Sequence, residues 1–519
     1  MRHVIYLFLI FILFACAKEH AKQEKSLQLD ILKPCPSFSE TGKPALVYGA
    51  ECGTLAVKEN PTDSRSREIT LNILRLPAIS PTAKKDPLFL IQGGPGGSSV
   101  RMAEMVHYAF AEVRKNRDLI FIDQRGTGKS NPLDCEKIDN KDEELAADVV
   151  KQKMAARIKT CAEKYKDQSI FYTTPYAVQD IELVRRALGY PSINLWGVSY
   201  GSRVALEYAR EFSATTRTII LDGVAPVQMA LPKYFAEDAM SALRVVNDEC
   251  AAQEKCKQQF GDVIEKADKV SARLAQAEDR QAPIKIEFKH PLNQTIKKIT
   301  LSQKIFSQLI FMSLYSRDLT VLLPQAIADS ERGDYQLIAS LFTLASEQNG
   351  FANISEGMRY SVVCNEDAYF IAPEDIDSGN KFFGINMLKE MAEECKIWPK
   401  SILPKIYFDP IKSDLPALLL SGVRDPVTPP RWAQEVARHL PNSLQLVAQG
   451  GNHSISMEGC LPKIIAQFIE LASVNKLNTS CVNDIKPLPL VLGANENKAS
   501  ANPTSQASAT QSSVGGEQK

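Results

Sequence analysis

The 519-residue chain has no excess charge of either sign, since 61 Lys+Arg balance 61 Asp+Glu. There is therefore no net basic charge to argue for nucleic-acid phosphates as a partner, and no nucleic-acid partner is expected. Its 11 cysteines include no C-x-x-C pair, which argues against a zinc ribbon or thioredoxin chemistry. H-E-x-x-H is absent, so the zinc-peptidase helix is excluded. The apolar run Val4 to Ala15 is too short for a helix crossing a hydrocarbon core of about 30 Å. Nucleotide motifs also fail. The glycine cluster Gly93-Gly94-Pro95-Gly96-Gly97 lacks G-x-G-x-x-G spacing. Gly128-Lys129-Ser130 resembles the end of a P-loop, yet Asp123 stands where its first glycine belongs. No metal or cofactor is expected.

What is present begins with a leader. Arg2 and His3 precede the apolar run, which fits the h-region of a secretory signal over residues 1–15. Leu13-Phe14-Ala15-Cys16 resembles a bacterial lipobox, which implies lipidation of Cys16 and a membrane anchor. The alternative is an ordinary cleaved signal that contains a cysteine. Residues 16–34 read as a tether, polar and charged over 17–30. Ala17 after the cysteine implies, by resemblance to Gram-negative lipoproteins, an outer-membrane location facing the periplasm. Without Cys16, ten cysteines remain. They fall in close couples along the chain: 35 with 52, 135 with 161, 250 with 256, 364 with 395, 460 with 481. Neighbour pairing is the expectation, each bridge contributing about 3 kcal/mol by restricting the unfolded chain.

The core is organised around Leu195 to Arg203, L-W-G-V-S-Y-G-S-R. An apolar strand precedes it and a helix-spaced segment follows, the setting that makes G-x-S-x-G a nucleophile turn. Ser199 is the candidate nucleophile, in a strained and exposed conformation. The following helix directs its free N–H groups and positive dipole end at the serine, which makes the Tyr200 N–H an oxyanion donor. Pro87 to Ile91 and Asp118 to Ile122 read as strands buried on both faces. The glycine cluster after the first lets backbone approach a ligand. Pro95 has no N–H, so Gly94 is the second candidate donor; a plain tight turn is the alternative. Asp123 and Arg125 are expected to form a buried ion pair under the site.

The G-G-P-G loop, D-Q-R-G-x-G-x-S and G-x-S-Y-G, in that order, resemble the α/β-hydrolase family of prolyl iminopeptidases and tripeptidyl aminopeptidases. Thr173-Thr174, Asp180, Leu188-Gly189 and Asp222-Gly223-Val224 also match, over roughly residues 35–480. Gln92 stands where many members have histidine. The resemblance implies an α/β-hydrolase fold: a mostly parallel central sheet flanked by helices, with a large helical lid insertion. The expected layout is a first core half at 35–227, a lid at 228–403 and a second core half at 404–484. A connector and an unstructured tail at 485–519 complete it.

Five segments of the insertion have helical spacing: Tyr234 to Glu249, Val263 to Ala277, Ser302 to Leu314, Leu319 to Ser330 and Tyr335 to Glu347. The resemblance implies lid carboxylates that grip a substrate's α-ammonium, and Glu366 is the candidate. Beyond the insertion, Ala417 to Gly422 reads as a buried strand, followed by Asp425. Of six histidines, only His453 sits in a glycine-rich loop after a core strand. Ser199, Asp425, His453 is the α/β-hydrolase chain order of nucleophile, acid and base. Asp222 also follows a strand and rivals Asp425, but the G-x-x-D-P-V-T-P setting of Asp425 is the one this family uses. The expected activity is a serine exopeptidase that releases a single residue or a tripeptide from peptides with a free N-terminus. An esterase or lipase on the same residues, or an inactive hydrolase-fold binding lipoprotein, are the alternatives. Oligomeric state is left open.

Overall fold

The computed structural model describes residues 32–36, 47, 49–136, 147–348, 354–378 and 380–493. The leader, Cys16 and the tail beyond 493 lie outside the described residues. The strands are β1 (Leu32–Pro34), β2 (Glu51–Lys58), β3 (Glu68–Leu76), β4 (Leu88–Ile91), β5 (Leu119–Ile122), β6 (Ile193–Val198), β7 (Thr216–Asp222), β8 (Ile284–Lys289), β9 (Ile296–Leu301), β10 (Ala417–Gly422) and β11 (Ser443–Ala448). Nine of them form one sheet in the order β1-β2-β3-β5-β4-β6-β7-β10-β11. From β5 to β11 every pairing is parallel; β1, β2 and β3 extend that edge antiparallel. Leu32–Pro34, the last three residues of the expected tether, are thus an edge strand. The extended backbone there has a pairing edge on β2 to occupy.

The parallel strands are short and apolar because helices cover both faces. β4, β5, β6 and β10 are buried along their whole length. Alternate residues serve opposite cores: Phe89 and Ile91 pack with Leu195 and Val204 on one face, Leu88 and Leu90 with Trp196 and Phe468 on the other. Parallel register also brings the strand ends level. Ile91 pairs with Gly197, and Val198 with Asp222. The loops after β4, β6, β7, β10 and β11 therefore leave from one edge of the sheet, the edge at which open α/β sheets carry their sites.

Between β7 and β10 the helices Phe235–Ala251, Val263–Asp279, Gln303–Ser313, Leu323–Glu331 and Gln336–Gln348 fall on the five segments with helical spacing. They enclose a separate apolar core that includes Leu243, Phe306, Ile327 and Ile338. One part is not helical: β8 and β9 form an antiparallel hairpin. Its signal is the period-two run Ile284-Lys285-Ile286-Glu287-Phe288-Lys289, in which Ile286 and Phe288 are buried. The connector is docked as well. Leu490 is buried in the insertion's core, and the Val491 N–H donates to the Val321 carbonyl at 3.0 Å.

All five neighbour pairs form disulfides: Cys35–Cys52, Cys135–Cys161, Cys250–Cys256, Cys364–Cys395 and Cys460–Cys481. Bridges in this number point to an oxidising, extracytoplasmic compartment. Among the described residues no helix is long and apolar enough to cross a membrane.

Candidate active site

Ser199 caps the helix Tyr200–Glu211 with φ 56° and ψ −127°. Positive φ in a serine is a strained arrangement that the surroundings must hold. They do so by close packing. A β-carbon on Gly197 would stand 2.2 Å from the Gly201 carbonyl oxygen, and one on Gly201 would stand 2.3 Å from that of Ile91. Only glycine fits either position. The Ser199 N–H donates to the Asp222 carbonyl at 2.8 Å, and the Ser199 carbonyl accepts the Ser202 hydroxyl at 2.6 Å. Ser199 itself is partly exposed, whereas Val198 and Tyr200 on either side are buried.

The glycine loop after β4 lies against this turn. A β-carbon on Gly93 would be 2.8 Å from Ser199 Cβ and 3.1 Å from the Tyr200 nitrogen. The Gly93 N–H is turned away, donating to Gln92 Oε1 at 3.1 Å. The Gln92 N–H donates to Ser99 Oγ at 3.0 Å, and the Gln92 carbonyl accepts from Gln124 Nε2 at 3.1 Å. Gln92 thus braces the loop, and Gly94 is the next residue along with an amide hydrogen.

Asp425 and His453 meet directly. Asp425 is fully buried, and its carboxylate accepts the Val427 N–H at 2.9 Å, the Thr428 N–H at 2.8 Å, the Thr428 hydroxyl at 2.6 Å and His453 Nδ1 at 2.9 Å. Burial works against its charge, but the neighbouring His453 and the hydrogen bonds from His453 and Thr428 outweigh it and hold the carboxyl below its usual range. The imidazole is shifted the other way. Burial pushes it down, and Asp425, with a smaller contribution from Asp222, lifts it above its ordinary value. An ionised carboxylate can only accept, so Nδ1 carries the hydrogen and Nε2 keeps a lone pair when the ring is neutral.

Asp222 does not serve this imidazole as a hydrogen-bond partner; it builds the loop that carries it. Its carboxylate accepts the Ser454 hydroxyl at 2.7 Å, the Ile455 N–H at 2.8 Å, the Ser456 N–H at 3.0 Å and the Ser456 hydroxyl. A β-carbon on the next residue, Gly223, would be 3.3 Å from His453 Cε1. Residues 222 and 223 therefore touch both the Ser199 turn and the loop that carries the imidazole. The pattern that could have revealed this is S-x-S after the histidine, Ser454-Ile455-Ser456, a set of donors with no partner nearby in sequence.

The insertion completes the surroundings of His453. The Tyr315 ring meets the imidazole edge-on with centroids 4.9 Å apart. Asn452 Nδ2 donates to the Leu314 carbonyl at 2.7 Å and to Thr320 Oγ1 at 2.8 Å. The buried Arg424 pairs with Glu249.

Two expectations need correction. Arg125 is paired with Asp180 through Nε at 2.7 Å and Nη2 at 2.8 Å, not with Asp123. Asp123 instead accepts from the Ser98 hydroxyl at 2.6 Å, Asn72 Nδ2 at 2.8 Å and the N–H groups of Val100 and Lys129. The strand ends at Ile122, and the turn that follows begins at Gln124, between the two residues, with the Thr127 N–H on the Gln124 carbonyl at 3.0 Å. Glu366, the expected ammonium anchor, is wholly buried. Its carboxylate accepts the Thr174 N–H at 2.6 Å, the Thr174 hydroxyl at 2.8 Å, Arg203 Nη1 at 3.3 Å and the Tyr407 hydroxyl. With its acceptor positions committed inside the protein, it is not presented to a ligand.

Comparison with known proteins agrees with this architecture. Residues 86–248 match the family model described as alpha/beta hydrolase fold, and residues 380–481 match that described as TAP-like protein. Serine protease Hip1 of Mycobacterium tuberculosis is 25% identical over 474 residues, covering 84% of this chain and 88% of that protein. Tripeptidyl aminopeptidase of Streptomyces lividans is 27% identical over 190 residues, 34% of this chain and 35% of that one. The crystal structure of proline iminopeptidase from Mycobacterium smegmatis covers 81% of this chain and 98% of its own, at 17% identity and TM-score 0.40. The chain has the α/β-hydrolase fold of a serine hydrolase, and its C-terminal segment is similar to TAP-like proteins.

Proposed function

We propose that the protein is a serine exopeptidase that removes one residue or a tripeptide from the free N-terminus of peptides. The observation that carries this reading is the 2.9 Å pairing of Asp425 with His453 Nδ1 at the sheet edge from which the Ser199 turn leaves. The peptidase names of the relatives favour peptides over other acyl substrates.

In this reading His453 Nε2 accepts the Ser199 proton as Oγ attacks the scissile carbonyl. Asp425 fixes the tautomer and stabilises the imidazolium. The Tyr200 and Gly94 N–H groups hold the oxyanion, with the helix dipole behind Tyr200. His453 then gives its proton to the departing amine. Water, deprotonated by the same imidazole, releases the acyl group from Ser199. The insertion, which abuts His453 through Tyr315 and Asn452, acts as the lid that limits substrate size. Export through residues 1–15 and lipidation of Cys16 would hold the enzyme at the outer membrane, facing the periplasm, where its bridges remain oxidised.

A fluorophosphonate probe tests the nucleophile, and a substrate series tests the specificity. Ser199 should be labelled in the folded protein, and free-amino peptide amides should be cleaved in preference to their N-acetylated forms. Equal turnover of both forms would remove the exopeptidase reading. Faster turnover of simple acyl esters than of any peptide would replace it with an esterase.

A further inference from the structure

We infer that the acidic pair Glu366–Asp367 positions the nucleophile turn from beneath, through Arg203 and through a Thr174–Tyr200 relay. The inference rests on the serine-hydrolase reading but not on the peptide specificity. Arg203 lies one helical turn beyond Ser199, on the same helix. Its guanidinium is buried and reaches Asp367 Oδ1 through Nη2 at 2.8 Å and Glu366 Oε2 through Nη1 at 3.3 Å. Asp367 also accepts the Leu231 N–H at 2.8 Å, which ties in the chain after β7.

The second link runs to Tyr200 itself. The Thr174 hydroxyl lies 2.8 Å from Glu366 Oε2 and 2.7 Å from the Tyr200 hydroxyl. A carboxylate cannot donate, so Thr174 donates to Glu366 and accepts from Tyr200. Tyr200 supplies the backbone N–H beside Ser199, and its ring is buried. The relay therefore sets the orientation of the residue that carries the oxyanion donor. Glu366 and Asp367 follow the helix Glu356–Asn365, so the same pair joins the insertion to the catalytic helix.

The energetics favour a positioning role over a ligand site. Breaking a buried charge cluster by removing one partner leaves an uncompensated charge, a cost far above that of a solvated pair. In a chain of hydrogen bonds of this kind the members act together, so their losses do not add.

The test is a double-mutant cycle on Thr174→Val and Tyr200→Phe, with Glu366→Gln beside it. It is read on three substrates: a free-amino peptide amide, its N-acetyl form and a simple acyl ester. The rate of fluorophosphonate labelling of Ser199 is a fourth readout, independent of any amine. The expected result is a fall in kcat of about tenfold for each single variant on every substrate turned over, with KM within about twofold. Labelling should slow in parallel. The double variant should lose little more than the worse single variant. A rise in KM confined to the free-amino substrate in Glu366→Gln would overturn the proposal, as would unchanged labelling in Thr174→Val or additive losses in the double variant. If Glu366→Gln does not fold, the near-isosteric Thr174 and Tyr200 variants decide alone. Loss of preference for the free amine in the wild-type protein would count against the exopeptidase reading and leave this one standing.

Discussion

The carboxylate of Asp222 accepts the backbone N–H of Ile455 at 2.8 Å, so the end of β7 holds the loop that carries His453. The carbonyl of the same aspartate accepts the N–H of Ser199. One residue thus holds the Ser199 turn and the His453 loop relative to each other. Asp222→Ala would strip partners from two buried backbone N–H groups, those of Ile455 and Ser456, at a cost of roughly 1–3 kcal/mol each. A lower melting temperature and a fall in kcat larger than any change in KM are expected. Unchanged kcat in a variant that melts lower would show that the loop does not depend on this contact.

Ser199→Ala should lose on the order of 10⁶ in kcat, because a nucleophile and its base act as a unit. The fold should be unaffected: alanine removes only the hydroxyl, and no backbone partner of residue 199 depends on it. Circular dichroism and steady-state turnover measured on one preparation separate the two effects. Turnover near the wild-type rate would dismiss Ser199.

The pH profile follows from the pair at the base. His453 must be neutral to accept a proton, and Asp425 lifts its protonation above the ordinary value of about 6.5. The acid limb of kcat/KM should therefore lie above that value. Asp425→Asn removes the chief raising influence, so the limb should move to lower pH while activity falls by about 10⁴-fold. Stability has a different window. A raised imidazole contributes fully below about 6.5 and loses that contribution as pH climbs through the folded value. A depressed carboxyl contributes above about 3.9 and loses it as pH falls through the folded value. The pair thus stabilises the fold most between those limits, on the acid side of the activity maximum. An acid limb below 6 in the wild-type enzyme would contradict the assignment.

Arg125→Met should cost about 3–5 kcal/mol, because it leaves Asp180 buried without its cation. Urea unfolding measures this directly. A cost under 1 kcal/mol would mean that the pair is not the fixture its burial indicates.

Replacing Cys460 and Cys481 together by serine should cost about 3 kcal/mol through the unfolded chain and leave Ser199 labelling intact. An unchanged unfolding midpoint would refute the bridge.

Much of this was legible in the residues because it depends on local chemistry. The turn at Ser199 was marked by Gly197 and Gly201, whose absent side chains are a local steric demand. The buried strands and the insertion helices were marked by apolar period, and the disulfides by close cysteine couples. The misreadings share a different cause. The expectation for Asp123 and Arg125 rests on their closeness in sequence and that for Glu366 on the family resemblance, yet the partners of these residues are up to 192 residues away. For buried charge the energy lies in which partner arrives, and residue type alone does not name it.

In the sequence, glycine placement marks the turn at Ser199, elimination singles out His453, and the family resemblance carried by the motifs implies the fold class and favours Asp425 over Asp222. Only the tertiary structure decided that Asp222 builds the loop that carries His453, that Arg125 belongs to Asp180 and that Glu366 is spent on Arg203 and Thr174. Periodicity and glycine placement act over a few residues and survive in the linear text. A carboxylate's role depends on which donors the folded chain delivers to it, and that delivery exists only in three dimensions.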